Sequence, residues 1–152
     1  MSRPQKRAWA LAAALCAAVL VFDQAIKAVI ENELVPGEEV ELLGPLGLTL
    51  AHNEGIAFGL AGGSSLPLIA FAVLALAFVG FLLARNPAVP RMWVAVGLVA
   101  GGALGNLADR LRAGEVTDYV ELGSWPPFNL ADVAITLGVA LFALILLREE
   151  SR

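Results

Sequence analysis

Apolar residues fall into four long runs, Ala8 to about Ile30, Leu66 to Ala84, Met92 to about Ala108 and Phe128 to Leu147, with polar residues gathered between them. Each run approaches the roughly 20 residues that a helix needs to cross a hydrocarbon core, so the pattern predicts four transmembrane helices. The second and third are joined by Arg85-Asn86-Pro87-Ala88-Val89-Pro90-Arg91, a short turn that connects only antiparallel neighbours. After the first run the pattern changes. Val40 to Leu43 and Leu46 to Ala51 are short apolar or alternating stretches bracketed by Pro36-Gly37 and Gly44-Pro45, which predicts a small sheet on the membrane surface. The expected architecture is an all-α membrane protein of four transmembrane helices with a small extracytoplasmic β-sheet and a surface loop or helix. One four-helix domain spans 1–152, with an insertion at about 31–65; four spans use roughly half the chain and leave no room for a separate soluble domain.

Composition agrees with a lipid solvent: 59% of residues are hydrophobic and 16% charged, and the mean hydropathy is +0.77. The net charge of -4 argues against a nucleic-acid partner, but its distribution is more informative than its sum. Seven of the ten Lys and Arg residues (Arg3, Lys6, Arg7, Arg85, Arg91, Arg148 and Arg152) fall on one side of the predicted topology. The positive-inside rule then places both termini in the cytoplasm. The opposite side receives Glu31, Glu33, Glu38, Glu39, Glu41 and Glu54 with no Lys or Arg between residues 31 and 65. Cys16 is the sole cysteine, which excludes an internal disulfide and, with a single histidine, argues against a Cys/His metal site. Leu15 before it is not small and the apolar run continues to Phe22, so the first segment reads as an uncleaved span rather than a leader ending at Cys16.

A charge in a span costs roughly 2.5–3.5 kcal/mol at the helix centre, so each polar residue there needs a reason. Asp23 and Lys27 are four apart on one helix face, as an anchoring ion pair or as part of a site. Asn53, in His52-Asn53-Glu54-Gly55-Ile56-Ala57-Phe58-Gly59, offers an amide donor and acceptor to a substrate backbone or belongs to a surface turn. Gly101-Gly102-Ala103-Leu104-Gly105 favours tight helix packing, and Asn106, Asp109 and Arg110 share the face that follows, where a helix-end anchor competes with direct chemistry. Asp118 lies among apolar neighbours. Asn129 and Asp132 fall in the first turns of the fourth helix, which Pro126-Pro127 is expected to open. Two carboxylates at one membrane boundary fit hydrolysis by an activated water, one ionised and one protonated. Ser64 and Ser65 lie in a Gly-Ser turn with no base beside them.

The ordered set Asp23-Gln24-x-x-Lys27, Asn53-x-Gly55-x-Ala57-Phe58-Gly59, Gly101-Gly102-Ala103-x-Gly105-Asn106-x-x-Asp109-Arg110, Val116-x-Asp118-Tyr119 and Phe128-Asn129-x-Ala131-Asp132 resembles bacterial lipoprotein signal peptidase, or signal peptidase II. The resemblance covers residues 23 to 135. It implies an aspartic endopeptidase of the bacterial cytoplasmic (inner) membrane that cuts prolipoproteins before a diacylglyceryl-modified cysteine, with Asp118 and Asp132 as the dyad. Asn53, Gly55, Asn106, Asp109, Arg110, Asn129, Asp23 and Lys27 become the supporting residues. The expected partners are a lipidated prolipoprotein and membrane lipids; no cofactor or metal is expected, and the chain is expected to be a monomer. A small transporter would spread polar residues through the bilayer depth, whereas here they gather at one boundary. A purely structural subunit would explain the glycines but not the two aspartates together.

Overall fold

The computed structural model describes residues 2–55 and 65–150. Four helices in it are long and apolar enough to cross a membrane: α1 (Arg3–Glu33), α2 (Leu66–Arg85), α3 (Met92–Ala113) and α4 (Leu130–Glu150). α1 starts five residues before the apolar run does, because Pro4 suits a first helical turn and leaves no interior hydrogen bond unmade. α3 likewise outlasts its apolar run, carrying Asp109, Arg110 and Arg112 before Gly114 ends it at φ 85°, a left-handed conformation that glycine adopts without strain.

Between the helices lies one antiparallel sheet, ordered β1 (Glu39–Leu43), β2 (Leu46–Asn53), β3 (Val116–Leu122) and β4 (Trp125–Phe128). The two expected runs form β1 and β2. The other half was not expected, and it corrects the reading of Pro126-Pro127 as a helix start: both prolines sit in β4, an edge strand, where a missing N–H costs no ladder bond on the open side. α4 opens at Leu130 instead. Pairing of β2 with β3 sets Ala51 opposite Asp118, His52 opposite Thr117 and Asn53 opposite Val116.

α3 is the central helix and packs against α1, α4 and α2. It buries residues along its length, whereas α2 buries only Ala72 and Leu83 and gives most of its surface to lipid. Glycines set how closely α3 is approached. A Cβ on Gly102 would collide with the Ala131 carbonyl of α4, and one on Gly105 would stand 2.5 Å from Asp23 Oδ2 of α1. Without these two glycines the start of α4 and the polar stretch of α1 could not reach the same level of α3.

Candidate active site

The first turn of α4 is held almost wholly by side chains. Helices leave their first N–H groups without intrahelical partners. Here Leu130 N–H donates to Tyr119 Oη (3.1 Å), Ala131 N–H to Asp23 Oδ1 (3.0 Å) and Asp132 N–H to Asn129 Oδ1 (2.9 Å). Asp132 returns the last contact by accepting Asn129 N–H on Oδ2 at 3.2 Å, a reciprocal cap. Its other oxygen, Oδ1, accepts Asn106 Nδ2 of α3 at 2.8 Å. Both oxygens of a half-buried carboxylate are therefore aimed, at the positive end of the α4 dipole.

Asp118 reaches the same place from β3. Its Oδ1 accepts Asn129 Nδ2 at 2.6 Å and its Oδ2 accepts Asn53 Nδ2 at 2.9 Å. Asn53 is oriented by its own loop, because Gly55 N–H donates to its Oδ1 at 2.8 Å and Gly55 holds φ 77°, which only glycine takes easily. Both ends of the Asn53 amide are thus engaged. Asp118 is buried, and burial pushes its carboxyl up to about 6. The Asn53 amide pulls it back, the Asp132 charge raises it and the Asn129 amide lowers it. Asn129, itself fully buried, touches both carboxylates, and its Nδ2 also meets Asn106 Oδ1 (3.1 Å). Asp132 and Thr136 line a cavity of about 300 Å³ whose other walls, Trp125, Phe128, Val133 and Leu137, are apolar.

Below these residues sits a second charged layer. Lys27 Nζ lies 2.8 Å from Asp23 Oδ2 and 2.6 Å from Asp109 Oδ2, the latter an ion pair without hydrogen-bond alignment, and donates to Asn106 Oδ1 at 3.0 Å. Asp109 Oδ1 takes Gln24 Nε2 (2.8 Å) and Arg112 (3.2 Å), so two carboxylates face two cations. Asp109 is buried and pairs with Lys27 and Arg112 rather than with adjacent Arg110, so it ties α1 to α3 and is more than a helix-end anchor. Arg110 is half-buried, donates to the Asn106 carbonyl at 3.4 Å and lies within the fields of Asp132 and Asp118.

All ten residues singled out in the sequence thus belong to one connected region. Gln24 and Arg112 were missed as supports of Asp109, although the i,i+3 spacing of Asp109 and Arg112 was a readable signal. Tyr119 was missed as a support of α4, and so was Thr117, whose hydroxyl donates to Glu31 at 2.6 Å. His52 pairs with Glu115 at 3.1 Å at a half-exposed position. Ala57, Phe58, Gly59 and Ser64 lie outside the described residues.

The profile of the family described as signal peptidase (SPase) II matches residues 15–148. The chain belongs to the signal peptidase II family. A lipoprotein signal peptidase of Pelotomaculum thermopropionicum is 42% identical over 141 residues, spanning 91% of this chain and 92% of that one. Another, from Brucella ovis, is 43% identical over 147 residues, covering 90% and 88%. A solved bacterial membrane enzyme superposes with a TM-score of 0.83 at 30% identity, covering 92% of this chain and 89% of that one. As a signal peptidase II the protein is a membrane protease that removes signal peptides from prolipoproteins.

Proposed function

We propose that Asp118 and Asp132 are the catalytic dyad of this signal peptidase II and that it cuts just before a cysteine carrying diacylglycerol. The observation that carries the proposal is the double contact of Asn129, which binds Asp118 through its side chain and Asp132 through its backbone. Two carboxylates fastened to one residue and partly desolvated share a proton more readily than either loses its own. The ionised member takes a proton from water as its oxygen attacks the scissile carbonyl; the protonated member gives its proton to the carbonyl oxygen. When the tetrahedral intermediate collapses, the protonated aspartate gives its proton to the cysteine nitrogen, the C–N bond breaks so that this nitrogen leaves as the new N-terminus, and the ionised aspartate takes a proton from a hydroxyl of the intermediate as the carbonyl re-forms. The pair returns to its single-proton state.

The remaining residues take positioning roles. Asn53, set by Gly55, holds Asp118; Asn106 and Asn129 hold Asp132; and Asp23, Lys27 and Asp109 fix the helices that carry them. Arg110 adds positive charge beside the dyad. The apolar walls around Asp132 suit a substrate held at membrane depth by its acyl chains. In this reading the protein is a monomer of the bacterial cytoplasmic membrane, with both termini inside and the dyad facing outward.

The test is reconstitution of purified protein with a diacylated prolipoprotein. Asp118→Asn and Asp132→Asn should each lower kcat by on the order of 10³-fold. Wild-type rates in either variant defeat the dyad. Equal cleavage of an unlipidated precursor defeats the lipid requirement and leaves the peptidase chemistry standing.

A further inference from the structure

At the end of the bundle away from Asp118 and Asp132, the first turns of α1 and the connection from α2 to α3 enclose a groove of about 600 Å³. Arg3, Arg7 and Arg91 line it, together with Leu11 and Trp93, and no acidic residue does among the described residues. Arg3, Arg7 and Leu11 recur every fourth residue, so the face of α1 that enters the groove passes from charged to apolar along its length. None of the three arginines is ion-paired among the described residues.

Two further features add positive potential. α1 and α3 both begin here, neither has a side-chain cap or an acidic residue in its first turn, and a helix N-terminus carries partial positive charge. Arg91 also holds φ 66°, ψ 1°, the one described non-glycine residue with positive φ. A bulky side chain in that conformation is strained, and the residue held in it lines the same groove as the two arginines of α1.

We propose that this groove binds the phosphodiester headgroup of an anionic glycerophospholipid from the leaflet that meets this end of the protein. The three guanidinium groups would take the phosphate oxygens, as arginines do in charge-assisted pairs. Leu11, and Trp93 as an interfacial aromatic, would line the glycerol and upper acyl region, which a free anion has no means of using. Such a lipid would pin the start of α1 to the turn between α2 and α3. The site is separate from the peptidase centre and does not depend on the dyad.

The test places full-length protein in phosphatidylcholine nanodiscs containing a minor fraction of phosphatidylglycerol, and counts retained lipid by native mass spectrometry. Wild type should keep phosphatidylglycerol in preference to phosphatidylcholine. Arg91→Gly, which removes the guanidinium and relaxes the backbone, should lower that retention on the order of tenfold, as should Arg3→Gln with Arg7→Gln. Unfolding temperatures in pure phosphatidylcholine should not fall below that of wild type, which separates lost binding from lost folding. Arg85 stands at the same end but lies over the Phe81 ring, 5.4 Å from its centroid, and does not line the groove, so Arg85→Gln should change nothing. Equal retention of both lipids, or an Arg85→Gln loss as large as that of Arg91→Gly, overturns the site. Displacement of the retained lipid by inorganic phosphate overturns its assignment to a lipid.

Discussion

Lys27 is fully buried between Asp23 and Asp109, and its removal would leave the buried Asp23 without a cation, Asp109 with Arg112 alone and the Asn106 amide oxygen without one of its donors. Breaking a buried pair costs more than the pair contributes, because the remaining charge has nowhere to go. Lys27→Met should therefore destabilise the protein by about 3–5 kcal/mol, read as a lowered midpoint of denaturant unfolding in detergent. In the proposed mechanism Asn53 acts on the chemistry instead. The ordinary carboxyl value is 3.8; burial keeps the Asp118 proton until the pH passes about 6, and the Asn53 amide works against that by stabilising the ionised form. If Asp118 and Asp132 are the proposed dyad, the alkaline limb of kcat/KM follows loss of its proton, and Asn53→Leu should move that limb to higher pH. An unmoved limb, or one moved to lower pH, contradicts this assignment. Asp118 and Asp132 were legible as residues because carboxylates in apolar surroundings need partners. The part Tyr119 plays was not, since a tyrosine in an apolar stretch is ordinary in a membrane protein.

At the level of elements, the site depends on how near α1 and α4 come to α3. Gly105→Ala would drive a methyl group toward Asp23 Oδ2, and the other oxygen of that carboxylate, Oδ1, holds the Ala131 N–H of α4. A displacement approaching 1 Å at the start of α4 should cost on the order of 10² in kcat. Gly80→Ala is the matching control: its Cβ would meet only Trp9 Cη2 at 3.9 Å, so turnover should be unchanged. The four helices were readable because their apolar runs are local and long. β3 and β4 were not readable, because β3 derives its partner from β2, with Ala51 opposite Asp118, and β4 carries two prolines that also suit a helix start. Long-range pairing leaves no periodic trace in a seven-residue strand.

Over the whole molecule, charge and chemistry are segregated to opposite ends. Arg3, Arg7 and Arg91 crowd one end, while Asp118, Asp132 and the sheet occupy the other. In the proposed orientation, which rests on the positive-inside rule, the first end is cytoplasmic. In a Cys16→Ser background, a cysteine at Ser2 should react with a membrane-impermeant maleimide only after the membrane is opened, and one at Glu39 should react in intact spheroplasts. Reversed labelling would invert the proposed orientation while leaving the fold intact. Sequence alone was enough for the end-to-end asymmetry, since it rests on counting arginines; that the polar motifs meet at one place depended on the sheet and on glycine-mediated packing.

The central claim is that Asp118 and Asp132 stand close enough to govern each other's proton. The most direct measurement is a carboxyl titration by carbon NMR on aspartate-labelled protein, wild type against Asp132→Asn. The Asp118 signal should titrate near pH 6 in wild type and move to lower pH when the Asp132 charge is removed. An Asp118 titration indifferent to residue 132 would contradict the account.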